Sequence, residues 1–129
     1  MKKITKDWLI SAKSDLLIIE KILEEKDLTH QAAFHAQQAV EKSFKAIIEE
    51  FEIGFVKTHS LERLYSLVEK KITIKINTDL LTILDQLYID ARYPGEIGLL
   101  PDGKPSIDDS KELYDFAREI YNATKAITI

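Results

Sequence analysis

Three short stretches of this chain hold the residues whose types and spacing suit chemistry. In 33-AFHAQQAVEKSFKAIIEEF-51, His35, Gln38, Lys42 and Lys45 recur three and four residues apart, so they share one helix face. Imidazole, amide and ammonium groups in one row, beside small alanines, suit a polar groove that accepts an anion or a nucleotide. In 57-KTHSLERL-64, Lys57 and His59 lie at a helix N-terminus, where free backbone N–H groups favour an anion. In 88-YIDARYPG-95, Tyr88 and Arg92 are one helical turn apart. A guanidinium can form two parallel hydrogen bonds to a phosphate, which makes Arg92 the first choice for that contact. Tyr93 precedes Pro94 and marks where the chain leaves the helix. The candidate phosphate or nucleotide groove is therefore His35, Gln38, Lys42, Lys57, His59, Arg92 and Tyr93. It requires the second helix, the start of the third and the end of the fourth to converge.

Each residue also has a plain structural role. The His35 row reads as a solvated helix face, and a lone histidine is more often a packing residue satisfied by a neighbour. His59 reads as a residue close to a cap, and Arg92 as a cation that complements a helix C-terminus. Other chemistries fit worse. The three histidines are His30, His35 and His59, and none has a glutamate three residues before it. The Glu-x-x-His pairs of di-metal bundles are thus missing, and neither a metal nor a cofactor is expected. No G-x-S-x-G elbow, phosphate-binding P-loop or dinucleotide fingerprint occurs.

Bulk properties narrow the class. The chain has 129 residues, enough for one domain, 1–129, with a real core. Its formal charge is −4 and its pI about 5.4. Beyond Lys2, Lys3 and Lys6 there is no obvious basic surface, which disfavours sequence-independent gripping of duplex nucleic acid. There are no cysteines, which excludes disulfides and thiol nucleophiles and fits a reducing cytoplasm. No apolar run approaches the roughly 18 residues of a membrane span. The N-terminus starts like a signal peptide, but Asp7, Lys13 and Asp15 interrupt the apolar region it would need. A cytoplasmic location with no membrane partner is the expectation.

The elements that must position these residues are helices. Apolar stripes at helical period predict a first helix over about 6–25, with Thr5 as N-cap and Trp8, Ala12, Leu16, Ile19 and Leu23 inward. The second is expected over 29–51, with Ala33, Ala36, Val40, Phe44, Ile47 and Phe51 inward. The third runs over about 60–70, capped by Thr58 or Ser60. The fourth starts at Asn77 or Thr78 and stops near Arg92. The fifth opens on Ser106-x-x-Asp109, a capping sequence. The run 72-ITIKI-76 alternates like a strand, but one short strand without a partner is unstable, so it is read as an extended connector. The fold class is all-α, an antiparallel up-and-down bundle of about five helices. All three prolines and three of the four glycines fall within 94–105, in a long loop between the last two helices. Ala32, Ala39 and Ala46 recur every seven residues and suggest a close helix contact, either within the chain or across a homodimer.

Taken together, DWLISAKSDL (7–16), AAFHAQQAVEKSFKAI (32–47), KTHSLERL (57–64) and YIDARYPG (88–95), in this order, resemble the HEPN domain family (higher eukaryotes and prokaryotes nucleotide-binding) in its stand-alone prokaryotic form. The resemblance implies an all-α bundle that dimerises. It also implies frequent pairing with a minimal nucleotidyltransferase, as in toxin–antitoxin modules. Some members bind nucleotides and others cut RNA. Ribonuclease members use an Arg followed four to six residues later by His. Here His30, His35 and His59 all precede Arg63, Arg92 and Arg118, so that motif cannot form. The expected function is thus a non-catalytic HEPN protein that binds a nucleotide or nucleic-acid phosphate beside a nucleotidyltransferase. The alternatives are a divergent metal-independent endoribonuclease using Arg92 with His35 or His59, and a purely structural dimerisation module.

Overall fold

The computed structural model describes residues 1–92 and 104–129, with Arg92 described through its helical backbone. Five α-helices follow in order: α1 (Lys3–Ile22), α2 (Thr29–Glu50), α3 (Leu61–Val68), α4 (Thr78–Arg92) and α5 (Ile107–Thr128). A 3-10 turn, Lys26–Leu28, leads into α2. Among the described residues there is no strand, and no helix is long and apolar enough to cross a membrane. The expected all-α bundle is what forms.

α2 is the central element and packs against α1, α3, α4 and α5. It is therefore buried around most of its circumference, through Ala33, Ala36, Val40, Phe44 and Ile47 but also Gln37, Glu41 and Ser43. α1 runs antiparallel to it: Thr5, near the start of α1, donates to Glu50 Oε1 at the end of α2 (2.9 Å). α5 runs antiparallel to α1, since Tyr114 Oη donates to Glu20 (2.6 Å) while Lys13 lies over the Tyr121 ring.

Of the two contacts open to Ala32, Ala39 and Ala46, the one within the chain is what forms. All three are at most 1% exposed, covered by helices of the same chain. Small side chains here let α1 and α5 approach α2 closely.

Thr5 is not the cap of α1. The helix starts at Lys3, and Glu50 accepts both the Thr5 hydroxyl and the Lys2 backbone N–H (2.9 Å each). A residue 48 positions away thus does the work of a local cap. These two hydrogen bonds, that from Lys2 foremost, hold the Glu50 carboxyl below its ordinary range. α1 also stops at Ile22 rather than near Glu25, because the 3-10 turn redirects the chain. Phe51, expected inward, is 37% exposed beneath the Lys71 ammonium (4.8 Å to the ring centre). It falls just past α2, where Glu52 and Gly54 take positive φ of 52° and 152° and turn the chain away.

The later caps match expectation. Ser60 accepts from Arg63 N, and Ser106 with Asp109 forms a complete capping box. α3 is shorter than expected and has a second anchor: Asp85 of α4 accepts the N–H groups of Leu61 and Glu62. Burial pushes the Asp85 carboxyl above its ordinary range despite the opposing pull of these N–H groups. In 72–76, Ile72 and Ile76 are buried and Ile74 half-buried, so the alternation pins an extended connector to the core.

Candidate functional site

The site grows from two acids on buried faces. Asp15 of α1 is 7% exposed at its side chain. An ionised carboxylate so placed costs several kcal/mol unless partners answer it. His35 Nδ1 and Lys42 Nζ each reach one of its oxygens at 2.8 Å. Seven residues separate these partners along α2, two turns on one face, which suits a single acid lodged between them. Glu41 is the second acid, 5% exposed at its side chain. It accepts from Lys45 Nζ (2.9 Å), from His59 Nδ1 (3.1 and 3.3 Å) and from Gln37 Nε2 (3.3 Å).

Gln37 is fully buried and also donates to the His59 carbonyl (2.9 Å), while its own carbonyl accepts from Gln38 (2.8 Å). His59 is thus held at ring and backbone by two interior residues of α2. Its own side chain remains 59% exposed. In both imidazoles the carboxylate takes Nδ1, which assigns the proton there and leaves Nε2 for another partner.

A row of rings links these groups to α4. Phe34 meets His35 edge-on (5.2 Å between centres) and stacks on Tyr88 (5.5 Å, 10° between planes). Tyr88 in turn lies 5.5 Å from the His59 ring. Arg92 follows Tyr88 by one turn of α4. The second helix, the start of the third and the end of the fourth therefore converge. Tyr93 and the side chain of Arg92 lie outside the described residues.

The seven expected residues divide. His35 and Lys42 are committed to Asp15, and Gln38 to Gln37, so this part of the row is answered within the chain. His35 fills the packing role open to a lone histidine. His59 presents its ring to solvent. Lys57 is exposed, makes no ion pair with a described residue, and with His59 lines a cavity of about 400 Å³ beside Trp8 and Phe55. Among the described residues no group of three His, Cys, Asp or Glu could hold a metal. Each His–carboxylate pair is completed instead by a lysine, which as an ammonium has no lone pair to offer.

Asp15, Gln37 and Glu41 carry this arrangement and escaped the sequence reading. A signal was present. Asp15 falls in the apolar stripe of α1 between Ala12 and Ile19, and Glu41 sits between Val40 and Phe44. An acid where the pattern calls for a hydrophobe marks a buried partner.

Residues 5–127 match the family described as HEPN domain. The chain belongs to the HEPN domain family. Two solved structures are similar over nearly the whole chain. One is TT1696 from Thermus thermophilus, with TM-score 0.75 and 21% identity over 97% of this chain and 98% of its own. The other is ST0689, an archaeal HEPN homologue, with TM-score 0.68 and 26% identity over 98% of each chain. No curated protein matches significantly. The first likeness speaks to the HEPN fold alone, and the second adds a homologue in name.

Proposed function

We propose that this HEPN protein binds a nucleotide, free or within a nucleic acid, through its phosphate, and does not itself cut RNA. It works as a homodimer in the cytoplasm, beside a minimal nucleotidyltransferase, in the manner of a toxin–antitoxin module. The observation that carries the binding reading is His59. Buried Glu41 accepts from the ring, and buried Gln37 donates to the backbone carbonyl, of one exposed histidine whose ring touches Tyr88, one turn before Arg92. Interior polar groups are costly, and a surface histidine with no task does not call for them. The His59 imidazole, the Lys57 ammonium and a guanidinium together suit a phosphate. The lack of cleavage is supported by residue order, since every histidine precedes every arginine. The dimer and the nucleotidyltransferase are supported by the family resemblance.

Calorimetry with nucleotides and short RNA tests the reading. Binding that weakens in both His59→Ala and Arg92→Ala is the expected result. Absence of binding to any of them would leave a structural dimerisation module. Co-purification with a neighbouring nucleotidyltransferase tests the partner.

One observation favours a second reading. The His59–Tyr88 contact brings an imidazole toward the α4 turn that carries Arg92, the pairing a divergent endoribonuclease would need. RNA cleavage abolished by both Arg92→Ala and His59→Ala would establish that activity.

A further inference from the structure

The cavity beside His59 has a composition that the phosphate contact alone does not explain. Its volume, about 400 Å³, lies within the roughly 300–1,000 Å³ of small-molecule sites. Its walls are apolar where Ile48, Val56 and the Trp8 indole meet. Phe55, on the same wall, is 84% exposed, a large bare ring that no described residue covers. Its polar groups carry both signs. Lys57 and His59 both line it, and Lys57 has no acidic partner among the described residues. Lys45 lines it too, its ammonium paired with the Glu41 carboxylate and resting 5.4 Å from the Trp8 ring centre. The same carboxylate also holds His59 Nδ1, so His59 has only Nε2 left to offer an occupant. Glu49 also lines the cavity and makes no ion pair with a described residue.

An unpaired acid repels a bare phosphate but accepts hydrogen bonds from hydroxyls or ring amines. The lining thus asks for three things in one molecule: an anion for Lys57 and His59, a flat ring for Phe55, and hydrogen-bond donors for Glu49. We propose that this cavity is a mononucleotide subsite. It takes the phosphate at Lys57 and His59, the base against Phe55 and Val56, and the ribose hydroxyls or a base amine at Glu49. The inference rests on the nucleotide reading above and deepens it, by committing the base to this cavity rather than to the Phe34–Tyr88 row.

Trp8 is the only tryptophan in the chain and lines the cavity, so its emission reports on an occupant. The probes are adenosine 5′-monophosphate, adenosine and inorganic phosphate, each followed by calorimetry and by Trp8 fluorescence. The monophosphate should shift Trp8 emission saturably and bind at least tenfold more tightly than either fragment. Phe55→Ala should weaken it about tenfold, the size of one lost base stack, and Lys57→Ala by a similar factor. Far-ultraviolet circular dichroism should stay unchanged, because both side chains are exposed. A short RNA with a 5′-phosphate distinguishes the sources. Competition for the Trp8 signal assigns an RNA end to the subsite, and lack of competition assigns a free mononucleotide. Heat of binding with Trp8 emission unmoved and Phe55→Ala neutral would overturn the subsite while leaving nucleotide binding intact. No heat with any nucleotide or RNA would overturn both.

Discussion

Asp15 shows how one misplaced-looking residue organises a helix pair. Among the described residues it is the only link between His35 and Lys42, and both partners are about four-fifths buried at their side chains. Asp15→Ala should leave the Lys42 ammonium and the His35 ring N–H unanswered and cost roughly 2–4 kcal/mol in urea unfolding, somewhat below a fully buried pair because both partners still reach water. The triple change Asp15→Leu, His35→Leu, Lys42→Met should recover most of that loss, since an apolar trio of similar volume needs no pairing. A triple variant as unstable as the single one would show that shape rather than charge governs the site. Glu41 gives a second test. With Glu41 as acceptor, neutral His59 should carry its proton on Nδ1, visible in long-range nitrogen–proton NMR correlations. Glu41→Gln should relax that preference, because an amide offers both a donor and an acceptor.

Among the elements, α3 is held more by a neighbour than by its own sequence. It spans only eight residues, too few to persist alone. Asp85 joins it to α4 by accepting at Leu61 and Glu62. Asp85→Ala should cost about 0.5–2 kcal/mol, the range of a lost N-cap, and speed hydrogen exchange at those two amides. The pH dependence has a definite sign. The folded Asp85 carboxyl titrates above its ordinary 3.8, so the folded chain holds this proton more tightly than the unfolded one. Its contribution is fully present in acid and is lost as pH rises from 3.8 through the raised value. The advantage of the wild type over Asp85→Asn should therefore be widest in acid and shrink across that window. The limits of sequence reading follow the same division. The caps at Ser60 and Ser106 were legible because serine and its partner lie three residues apart. The start of α1 was not, because its partner, Glu50, is distant in sequence. The row on α2 was legible as a pattern, and its Glu41–Lys45 pair is local to that helix, whereas Asp15, which commits His35 and Lys42, becomes their partner only once α1 has packed.

At the scale of the molecule, charge and surface decide how it meets others. With Ala32, Ala39 and Ala46 enclosed, the proposed twofold needs another face. Ile10 and Leu17, one heptad apart on α1, stand about half exposed. If the dimer uses them, light scattering should give twice 14.8 kDa, and Ile10→Lys with Leu17→Lys should return the monomer. A monomer in the unaltered protein would reject the dimer itself. Nucleic-acid binding carries a sharper expectation. The chain is net acidic at −4, and the proposed contacts come from His59, Lys57 and Arg92, so at most three phosphates are neutralised. On single strands each contributes about −0.7 to the slope of log affinity against log salt. The total should be near −2, a loss of roughly 15- to 20-fold between 50 and 200 mM salt, against the roughly thousandfold or more of proteins gripping six to ten phosphates. Lys57→Ala should flatten that slope by roughly 0.7 and weaken RNA of different sequences alike, because a phosphate contact carries no base information. A slope several-fold steeper would require a basic surface beyond these three residues, and would move RNA recognition away from this site.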